Sequence, residues 1–180
     1  MLTENQKGYL NTVPEDKIAH VVPFDPATQT TAHEITTEIK SVLPEAKVFY
    51  IGSSKLGIAG ENDIDMTVLG ESEFENYLKT FEKLYGNPEH KNIENKYVKW
   101  EFVRNGFPVE LHLNAFMTPN FQEQIDTNKI LEENRDLLLE YEQIKLQCDG
   151  ISWKEYLIKK YEFWNKVLGI DKKLNGTRDL

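Results

Sequence analysis

The chain has 180 residues and carries 30 acidic against 21 basic side chains, which gives a formal net charge of −9 at pH 7. This acid excess argues against a broad surface for duplex nucleic acid, because neutralising a phosphate backbone requires clustered lysine and arginine. It does not exclude a small phosphorylated substrate. The length and the 39% share of hydrophobic residues indicate one globular domain with an apolar core.

The sequence also limits the compartment and the redox chemistry. No run approaches the roughly 18 apolar residues of a membrane span, and the first residues are polar, so we expect a cytoplasmic protein without membrane contact. Cys148 is the only cysteine, which excludes an internal disulfide and a zinc site built on several thiolates. The simplest role for Cys148 is that of a small buried apolar residue.

The first elements of the chain are an extended segment, a helix and a strand. Apolar residues 19–24 indicate an edge strand or an extended arm, after which Asp25 can cap a helix that has Pro26 in its first turn. Helical spacing of apolar residues continues to Pro44. Residues 48–51 then predict a short buried strand that leads into a loop, Gly52 to Ser54.

Apolar and polar side chains alternate from residue 63 to residue 68, which is typical of a strand with one face in the core. Asp63 and Asp65 therefore share the face that points away from the core. An amphipathic helix over residues 74–85 follows and ends at Gly86.

Asn105 and Gly106 give the strongest short signal for a β-hairpin. With these two residues as the turn, residues 97–104 pair with residues 107–116, and Glu101 lies directly opposite Glu110. Like charges across an antiparallel pair are destabilising, so we expect a cation nearby, either Lys99 or a metal ion. For Glu101 alone, a solvated position beside Lys99 is the simpler interpretation.

The last third of the chain is predicted to be helical. One helix carries apolar residues 137–144, and a capping box formed by Ser152 and Glu155 begins another that ends at Gly169. The predicted organisation is a single α+β domain. It has an α/β core over residues 18–117, C-terminal helices over residues 118–169 and a polar, frayed tail over residues 170–180.

Three carboxylates converge if the strand of Asp65 lies beside the strand of Glu110 with the same face forward. Such a cluster raises its own pKa values unless a divalent cation occupies it, and hard oxygen ligands suit Mg²⁺ or Mn²⁺. We therefore predict Asp63, Asp65 and Glu110 as catalytic residues and metal ligands. Gly52 and Ser53 follow a strand directly, where a flexible backbone and a hydroxyl can contact phosphate oxygens.

This pattern resembles the signature of the polymerase-β-like nucleotidyltransferase superfamily. The signature is a hydrophobic residue, Gly and Gly or Ser, then a spacer, then Asp, a hydrophobic residue, Asp or Glu and a hydrophobic residue. Here residues 51–53 are Ile-Gly-Ser and residues 63–66 are Asp-Ile-Asp-Met. Glu110 stands where the superfamily has a third carboxylate on a following strand.

A narrower resemblance, from about residue 21 to residue 168, is to the GrpB family, a branch of the same superfamily. It is carried by residues 22–26 (Val-Pro-Phe-Asp-Pro), 52–54 (Gly-Ser-Ser), 64–65 (Ile-Asp) and 111–113 (Leu-His-Leu), and by Tyr141, Lys145, Tyr156, Lys160 and Phe163. Many members lack an acid at the Asp63 position and carry His at the Glu110 position, so this chain is closer to active nucleotidyltransferases. Residues 127–129 read Thr-Asn-Lys where the family usually has Phe-Arg-Asp.

The resemblance implies a nucleotidyltransferase fold, with a small mixed β-sheet, helices packed on one face and a C-terminal helical lobe bounding a cleft. It also implies metal-dependent transfer of a nucleotidyl group from a nucleoside triphosphate to an unknown, small acceptor. Two alternatives are a non-catalytic nucleotide or phosphometabolite binding protein that retains the fold, and hydrolysis of a phosphate ester at the same metals.

Further side chains are candidates for contact with phosphate, beside Gly52, Ser53 and Ser54. Lys160 lies in an apolar stripe, where a lysine extends to solvent about as often as it binds a ligand, and Lys145 borders a similar stripe. Lys55 follows the glycine–serine run, although an exposed lysine is the simpler interpretation there. His112 on the carboxylate face could bind phosphate or metal, or serve as a hydrogen-bonded structural histidine.

Overall fold

The computed structural model describes residues 1–170, so the predicted tail from residue 171 onward lies outside the described residues. The helices are α1 (Glu4–Leu10), α2 (Ala27–Val42), α3 (Gly52–Leu56), α4 (Phe74–Tyr85), α5 (Pro119–Glu133), α6 (Arg135–Leu146) and α7 (Trp153–Val167). The strands are β1 (Lys47–Ile51), β2 (Ile64–Leu69), β3 (His90–Asn92), β4 (Tyr97–Arg104) and β5 (Phe107–Asn114). Among residues 1–170, no helix has the length and apolar character needed to cross a membrane.

The five strands form one mixed sheet in the order β1-β2-β5-β4-β3. Three of the neighbouring pairs are antiparallel, and β2 runs parallel to β5. A parallel pair requires a long connection, which α4, β3 and β4 provide here. The parallel pair places Asp65 directly beside Glu110, which is the neighbourhood that the sequence argument required.

Helices α2 and α4 cover one face of the sheet and form the main apolar core with it. Ile35 and Ile39 of α2 and Phe81 of α4 are fully buried against strand residues such as Trp100 and Leu111. The ring of Phe81 meets that of Trp100 edge to face at 5.6 Å, an arrangement that adds to the gain from burying apolar area. The predicted α+β class, a small mixed sheet with helices on one face, is confirmed.

The β4–β5 hairpin has the predicted turn and register. Glu101 lies opposite Glu110, and the turn residues Asn105 and Gly106 have φ values of +55° and +86°. Positive φ at both central residues is the property of a type I′ turn, whose twist matches that of the strands it joins. The turn is also held from α2, because the Asn105 side-chain amide donates to Thr31 and Glu34.

Several elements differ from the sequence prediction. β1 was expected to be a buried strand, but it is an edge strand and most of its residues are only half-buried. Of the two options for residues 19–24, the structure has the extended arm, joined to the rest by single bridges such as Val22 to Gly60. Asp25 accepts from the backbone N–H of Ala27, in agreement with its predicted capping role. α1 and β3 were not predicted.

The C-terminal helices form a second apolar cluster that reaches back to the end of α3. Tyr141 of α6 stacks on Phe163 of α7 with ring centroids 4.9 Å apart, and Ile58 and Leu131 complete the buried part of this cluster. α7 begins at the predicted cap, where Ser152 accepts from a backbone N–H in the first turn. The helical lobe is therefore packed on the same segment that follows the glycine–serine run.

The turn glycine provides a stability prediction. Gly106→Ala places a Cβ in open space but at a left-handed φ, so we expect the free energy of unfolding to fall by about 1 to 2 kcal/mol. Gly8→Ala is the matched control, because Gly8 also has open space around it but lies inside α1. This change should be neutral or stabilising by up to about 1 kcal/mol. Urea denaturation measures both, and equal effects of the two changes would contradict the argument.

Candidate active site

The predicted glycine–serine loop is the short helix α3, which corrects the sequence prediction. Gly52 has a φ of +88°, and this left-handed conformation lets the chain turn sharply from β1 into the helix without an intervening loop. A Cβ built on Gly52 would lie 2.4 Å from Oδ2 of Asp65. The Gly52 backbone therefore packs directly against the Asp65 carboxylate, and any larger residue would displace one of them.

Ser53 and Ser54 are buried beneath this contact. The Ser54 hydroxyl donates to the backbone carbonyl of Asp63 at 2.6 Å, and the Gly52 N–H donates to Oδ1 of Asn128 at 3.1 Å. Of the three residues of this run, Gly52 and Ser54 thus contact the aspartates, while Ser53 lies against Gly60. In this arrangement, the hydroxyl of Ser54 and the N–H of Gly52 hold the site together.

Asp63 and Asp65 lie next to each other at the start of β2. Burial is the largest cause that raises the pKa of Asp65, and the neighbouring Asp63 carboxylate adds to it, so that this pKa is about 8. Burial, followed by the charge of Glu61, also raises the pKa of Asp63. Lys160 opposes both shifts. The two aspartates therefore repel each other in a partly desolvated position, as the sequence argument expected for a carboxylate cluster.

Glu110 lies on the same face as Asp65 but in a different environment. His112 Nε2 lies 3.6 Å and Lys99 Nζ 3.3 Å from Oε2 of Glu110, and Lys99 also pairs with Glu101. Contact with His112 is the largest cause that lowers the pKa of Glu110 to about 2, and Lys99 assists it against burial. Of the two cations that the hairpin register suggested, the structure has Lys99. The other ring nitrogen of His112 hydrogen-bonds the Tyr97 hydroxyl at 3.0 Å.

Asp63 and Asp65 have the donor chemistry of a divalent-cation site. Mg²⁺ commonly uses one or two carboxylates together with waters and substrate phosphates, and a cation would relieve the repulsion that raises the two pKa values. Within residues 1–170, no group of three or more His, Cys, Asp or Glu side chains is placed so that it could hold a metal ion. The fit therefore concerns the two aspartates, while Glu110 faces Lys99 and His112.

The three predicted lysines occupy different positions. Lys160 lies with its Nζ 4.8 Å above the Trp164 ring, and its charge lowers the pKa of Asp63 and Asp65. Lys145 is buried and bonded within the protein. Lys55 is half-exposed and forms an ion pair with Glu132 of α5 at 2.7 Å. Of these three lysines, Lys160 is the one whose charge lowers the pKa of both aspartates. It forms no ion pair with a carboxylate of its own among residues 1–170.

A family model described as GrpB protein matches residues 18–169, which include every residue of the carboxylate cluster. The chain belongs to the GrpB family. A curated relative, a UPF0157 protein of Vibrio cholerae, is 30% identical over 145 residues, which cover 73% of this chain and 71% of the relative.

The fold of this chain is also found in a solved structure of another protein. GrpB from Enterococcus faecalis superposes with a TM-score of 0.64 at 20% identity, covering 87% of this chain and 99% of the other, which shows a common fold. The MgGTP-bound Cid1 poly(U) polymerase, at a TM-score of 0.47 and 14% identity, covers 78% of this chain and 44% of its own. That likeness is too distant to support an argument.

Three residues of this GrpB site were not identified from the sequence as functional. Glu61 continues the spacing of Asp63 and Asp65 by two residues, so the run of alternating acids was a usable signal. Asn128 bonds Gly52 from the position where the family usually has Arg, and nothing in the sequence indicated this partner. Tyr156 belongs to the family pattern, but only the structure shows its contact with Lys145.

The raised pKa of Asp65 predicts how stability depends on pH in this GrpB-family protein. An unfolded aspartate titrates at about 3.9, so between about pH 4 and about pH 8 the folded state holds a proton that the unfolded state has lost. The contribution of Asp65 to stability therefore falls as pH rises through this window. As the pH rises through this window, the free energy of unfolding of Asp65→Asn should increase relative to that of the unmodified protein, by at most about 1.4 kcal/mol per pH unit.

Urea denaturation from about pH 5 to about pH 8, with a chelator present, measures this difference. Asp16→Asn is the control, because Asp16 is exposed and lies outside the cluster. Its stability curve should run parallel to that of the unmodified protein. A parallel curve for Asp65→Asn would show that burial and Asp63 do not perturb Asp65.

Proposed function

We propose that this GrpB-family protein transfers a nucleotidyl group from a nucleoside triphosphate to a hydroxyl of a small acceptor, with Mg²⁺ or Mn²⁺ as the cofactor. The observation that carries the proposal is the pair Asp63 and Asp65, of which Asp65 packs against the Gly52 backbone, while the charge of Lys160 acts on both carboxylates. Two desolvated carboxylates beside a lysine suit a ligand that brings both cations and phosphates. The acid excess of the chain supports a small acceptor over an extended duplex.

Asp63 and Asp65 would hold the cofactor, and a divalent cation supplies charge stabilisation for the phosphate oxygens in such a site. The backbone that carries these two side chains is held in place before any ligand binds. Ser54 bonds the Asp63 carbonyl, and Asp65 lies in a fixed register between β1 and β5. Their geometry therefore requires little reorganisation, which is the general condition for effective electrostatic stabilisation.

Phosphate binding would be shared between the α3 region and the helical lobe. Lys160 supplies a positive charge from α7, and the Gly52 backbone lies beside Asp65, with Ser53 following it in α3. His112 and Lys55 have no assigned part in phosphate binding, because His112 already contacts Glu110 and Lys55 already pairs with Glu132. A triphosphate that lies between Lys160 and the aspartates would satisfy both sets of charges at once.

In the proposed reaction, the acceptor oxygen forms a bond to the α-phosphorus while the bond from that phosphorus to the bridging oxygen breaks, and pyrophosphate leaves. Glu110 is ionised at neutral pH, since its pKa is about 2. Its carboxylate would accept a hydrogen bond from the acceptor hydroxyl and orient that oxygen, and the proton released would pass on to water. A carboxylate of such low pKa suits orientation better than storage of the proton.

One observation favours a second candidate function, the binding of a nucleotide or phosphometabolite without catalysis. Glu110 is held by Lys99 and His112, so the third carboxylate is paired within the protein rather than aimed at the two aspartates. A binding protein needs only the aspartate pair and the lysine. The two candidates differ in whether pyrophosphate is released when an acceptor is present.

A thermal-shift series tests the proposed function. Mg²⁺ together with a nucleoside triphosphate should raise the melting temperature of the unmodified protein, because a ligand at about 100 times its Kd adds about 2.7 kcal/mol to stability. Asp63→Asn and Asp65→Asn should lose the part of this shift that depends on Mg²⁺, each compared with its own ligand-free state. Asp16→Asn should retain the full shift.

Retention of the full Mg²⁺-dependent shift in both aspartate variants would overturn the metal-dependent mechanism. Product analysis separates the remaining candidates. Release of pyrophosphate only with a hydroxyl acceptor indicates transfer, and release of phosphate products without an acceptor indicates hydrolysis. A shift without any product indicates the binding protein.

A further inference from the structure

Lys145 is a lysine in an unusual position for its residue type. Only 1% of its surface is exposed, although it stands in the helix α6 whose outer face is open to water. Its ammonium group donates to Oε2 of Glu61 at 3.0 Å and to the hydroxyl of Tyr156, and it lies over the rings of Tyr141 and Tyr156. Lysine is almost never fully buried unless it is paired, so the pair with Glu61 is what makes this position possible.

Glu61 is the only carboxylate among the described ion pairs that Lys145 contacts, and it stands two residues before Asp63. Its Oε2 lies 3.0 Å from the Lys145 ammonium group, and the two side chains are only 20% and 2% exposed, so the pair is an ion pair that is largely shielded from water. The other oxygen of Glu61, Oε1, is buried without a hydrogen-bond partner among the described residues.

The short segment from Gly60 to Asp63 is held from several sides. Gly60 exchanges backbone hydrogen bonds with Val22, and a Cβ on Gly60 would lie 2.5 Å from the Ser53 side chain. Asn62 adopts a left-handed φ of +51° and its side chain donates to the carbonyl of Pro23. The Lys145–Glu61 pair ties this segment to the helical lobe, and one residue earlier the Ala59 N–H donates to Glu142 of the same helix, α6.

We propose that Lys145 is a positioning residue, whose buried pair with Glu61 fixes the segment from Gly60 to Asp63 so that Asp63 and Asp65 present their carboxylates together. This role replaces the phosphate contact predicted from the sequence position of Lys145, and it rests on the proposed function of the two aspartates. Glu61 and Tyr156 occupy two of the three N–H donors of the ammonium group. The third donor belongs to a side chain that is only 1% exposed, so a phosphate could not reach it without a change in the packing around Lys145.

For the replacement of Lys145, the proposal predicts a change in cation affinity that is opposite in direction to the change expected from charge alone. Removing the positive charge of Lys145 near Asp63 should strengthen the binding of a cation if only electrostatic attraction mattered. Loss of positioning should weaken it instead, and groups behind metal ligands typically contribute about 10-fold to 100-fold in affinity. We therefore expect Lys145→Met to weaken Mn²⁺ binding by about 10-fold or more, although the change in charge favours the cation. Glu61→Met should weaken Mn²⁺ binding as well, and there the lost negative charge acts in the same direction as the lost positioning.

The experiment is a double-mutant cycle with Mn²⁺ as the probe, measured by titration below the melting temperature of every variant. Lys145→Met combined with Glu61→Met leaves no unpaired buried charge, so this double variant should fold even if a single variant does not. Its Mn²⁺ affinity should equal that of Glu61→Met within about 2-fold, because the two residues act as one unit.

The matched control is the exposed pair of Lys166 on α7 and Glu140 on α6, whose charged atoms lie 2.6 Å apart. Lys166→Met combined with Glu140→Met should leave Mn²⁺ affinity unchanged. Inorganic tripolyphosphate, titrated with Mg²⁺ present, provides the second probe. If Lys145 contacted phosphate, Lys145→Met would weaken the binding of tripolyphosphate whether or not Glu61 is intact.

The outcomes separate the explanations. Weakened Mn²⁺ binding in both single variants, with no further loss in the double variant, supports the positioning role. A lower melting temperature with unchanged or stronger Mn²⁺ binding overturns the positioning role. It is also overturned if Lys145→Met weakens tripolyphosphate binding both in the protein that retains Glu61 and in the protein that carries Glu61→Met. If the unmodified protein and Asp65→Asn bind Mn²⁺ equally poorly, the proposed function fails and the positioning role fails with it.

Discussion

An ionised group that is buried must pair with an opposite charge or change its protonation state. This constraint determines the contacts in the part of the fold that surrounds the carboxylates. Three acids, Glu61, Asp63 and Asp65, stand within five residues at the entrance to β2. Their counter-charges come from the C-terminal helices, Lys145 on α6 and Lys160 on α7. The helical lobe is thus held to the sheet by charge as well as by the apolar cluster of Tyr141 and Phe163.

The same face of the sheet contains two kinds of carboxylate. Glu110 has a cationic side chain and a histidine within hydrogen-bonding range or just beyond it, and its pKa falls to about 2. Asp65 has burial and another carboxylate, and its pKa rises to about 8. The two residues are direct neighbours in the β2–β5 register, so their opposite pKa shifts come from burial, which dominates at Asp65, and from side-chain partners, which dominate at Glu110, and not from their place in the sheet. Pairs of carboxylates with separated pKa values are common where a site has distinct tasks for each.

The glycine–serine segment packs closely against the two aspartates. Gly52 contacts Asp65, Ser54 bonds the backbone of Asp63, and Gly60 packs on Ser53. Because these contacts involve a glycine or a buried serine, the segment has no space for larger side chains. The carboxylates are therefore positioned by close backbone packing on one side and by ion pairs from the lobe on the other.

Local chemistry was enough to predict the parts of the fold that depend on neighbouring residues. The Asn105–Gly106 turn, its strand register, the alternation around Asp65 and the cap at Ser152 all follow from dihedral preferences and side-chain periods. The same reasoning failed where a local signal was weak or ambiguous. Gly52 to Ser54 form a helical turn because of packing on Asp65, and β1 is exposed at an edge because the order of strands placed it there.

The sequence by itself determined the family, the hairpin and the fact that Asp63, Asp65 and Glu110 can share one face. Only the tertiary structure decided which cation stands beside which carboxylate. Lys145 and Glu61 are 84 residues apart, and Asn128 and Gly52 are 76 apart, so no local pattern connects them. Burial, and with it the strength of every charge interaction, depends on how distant elements pack, and this is why the pKa of Asp65 and the role of Lys145 follow from the packed molecule alone.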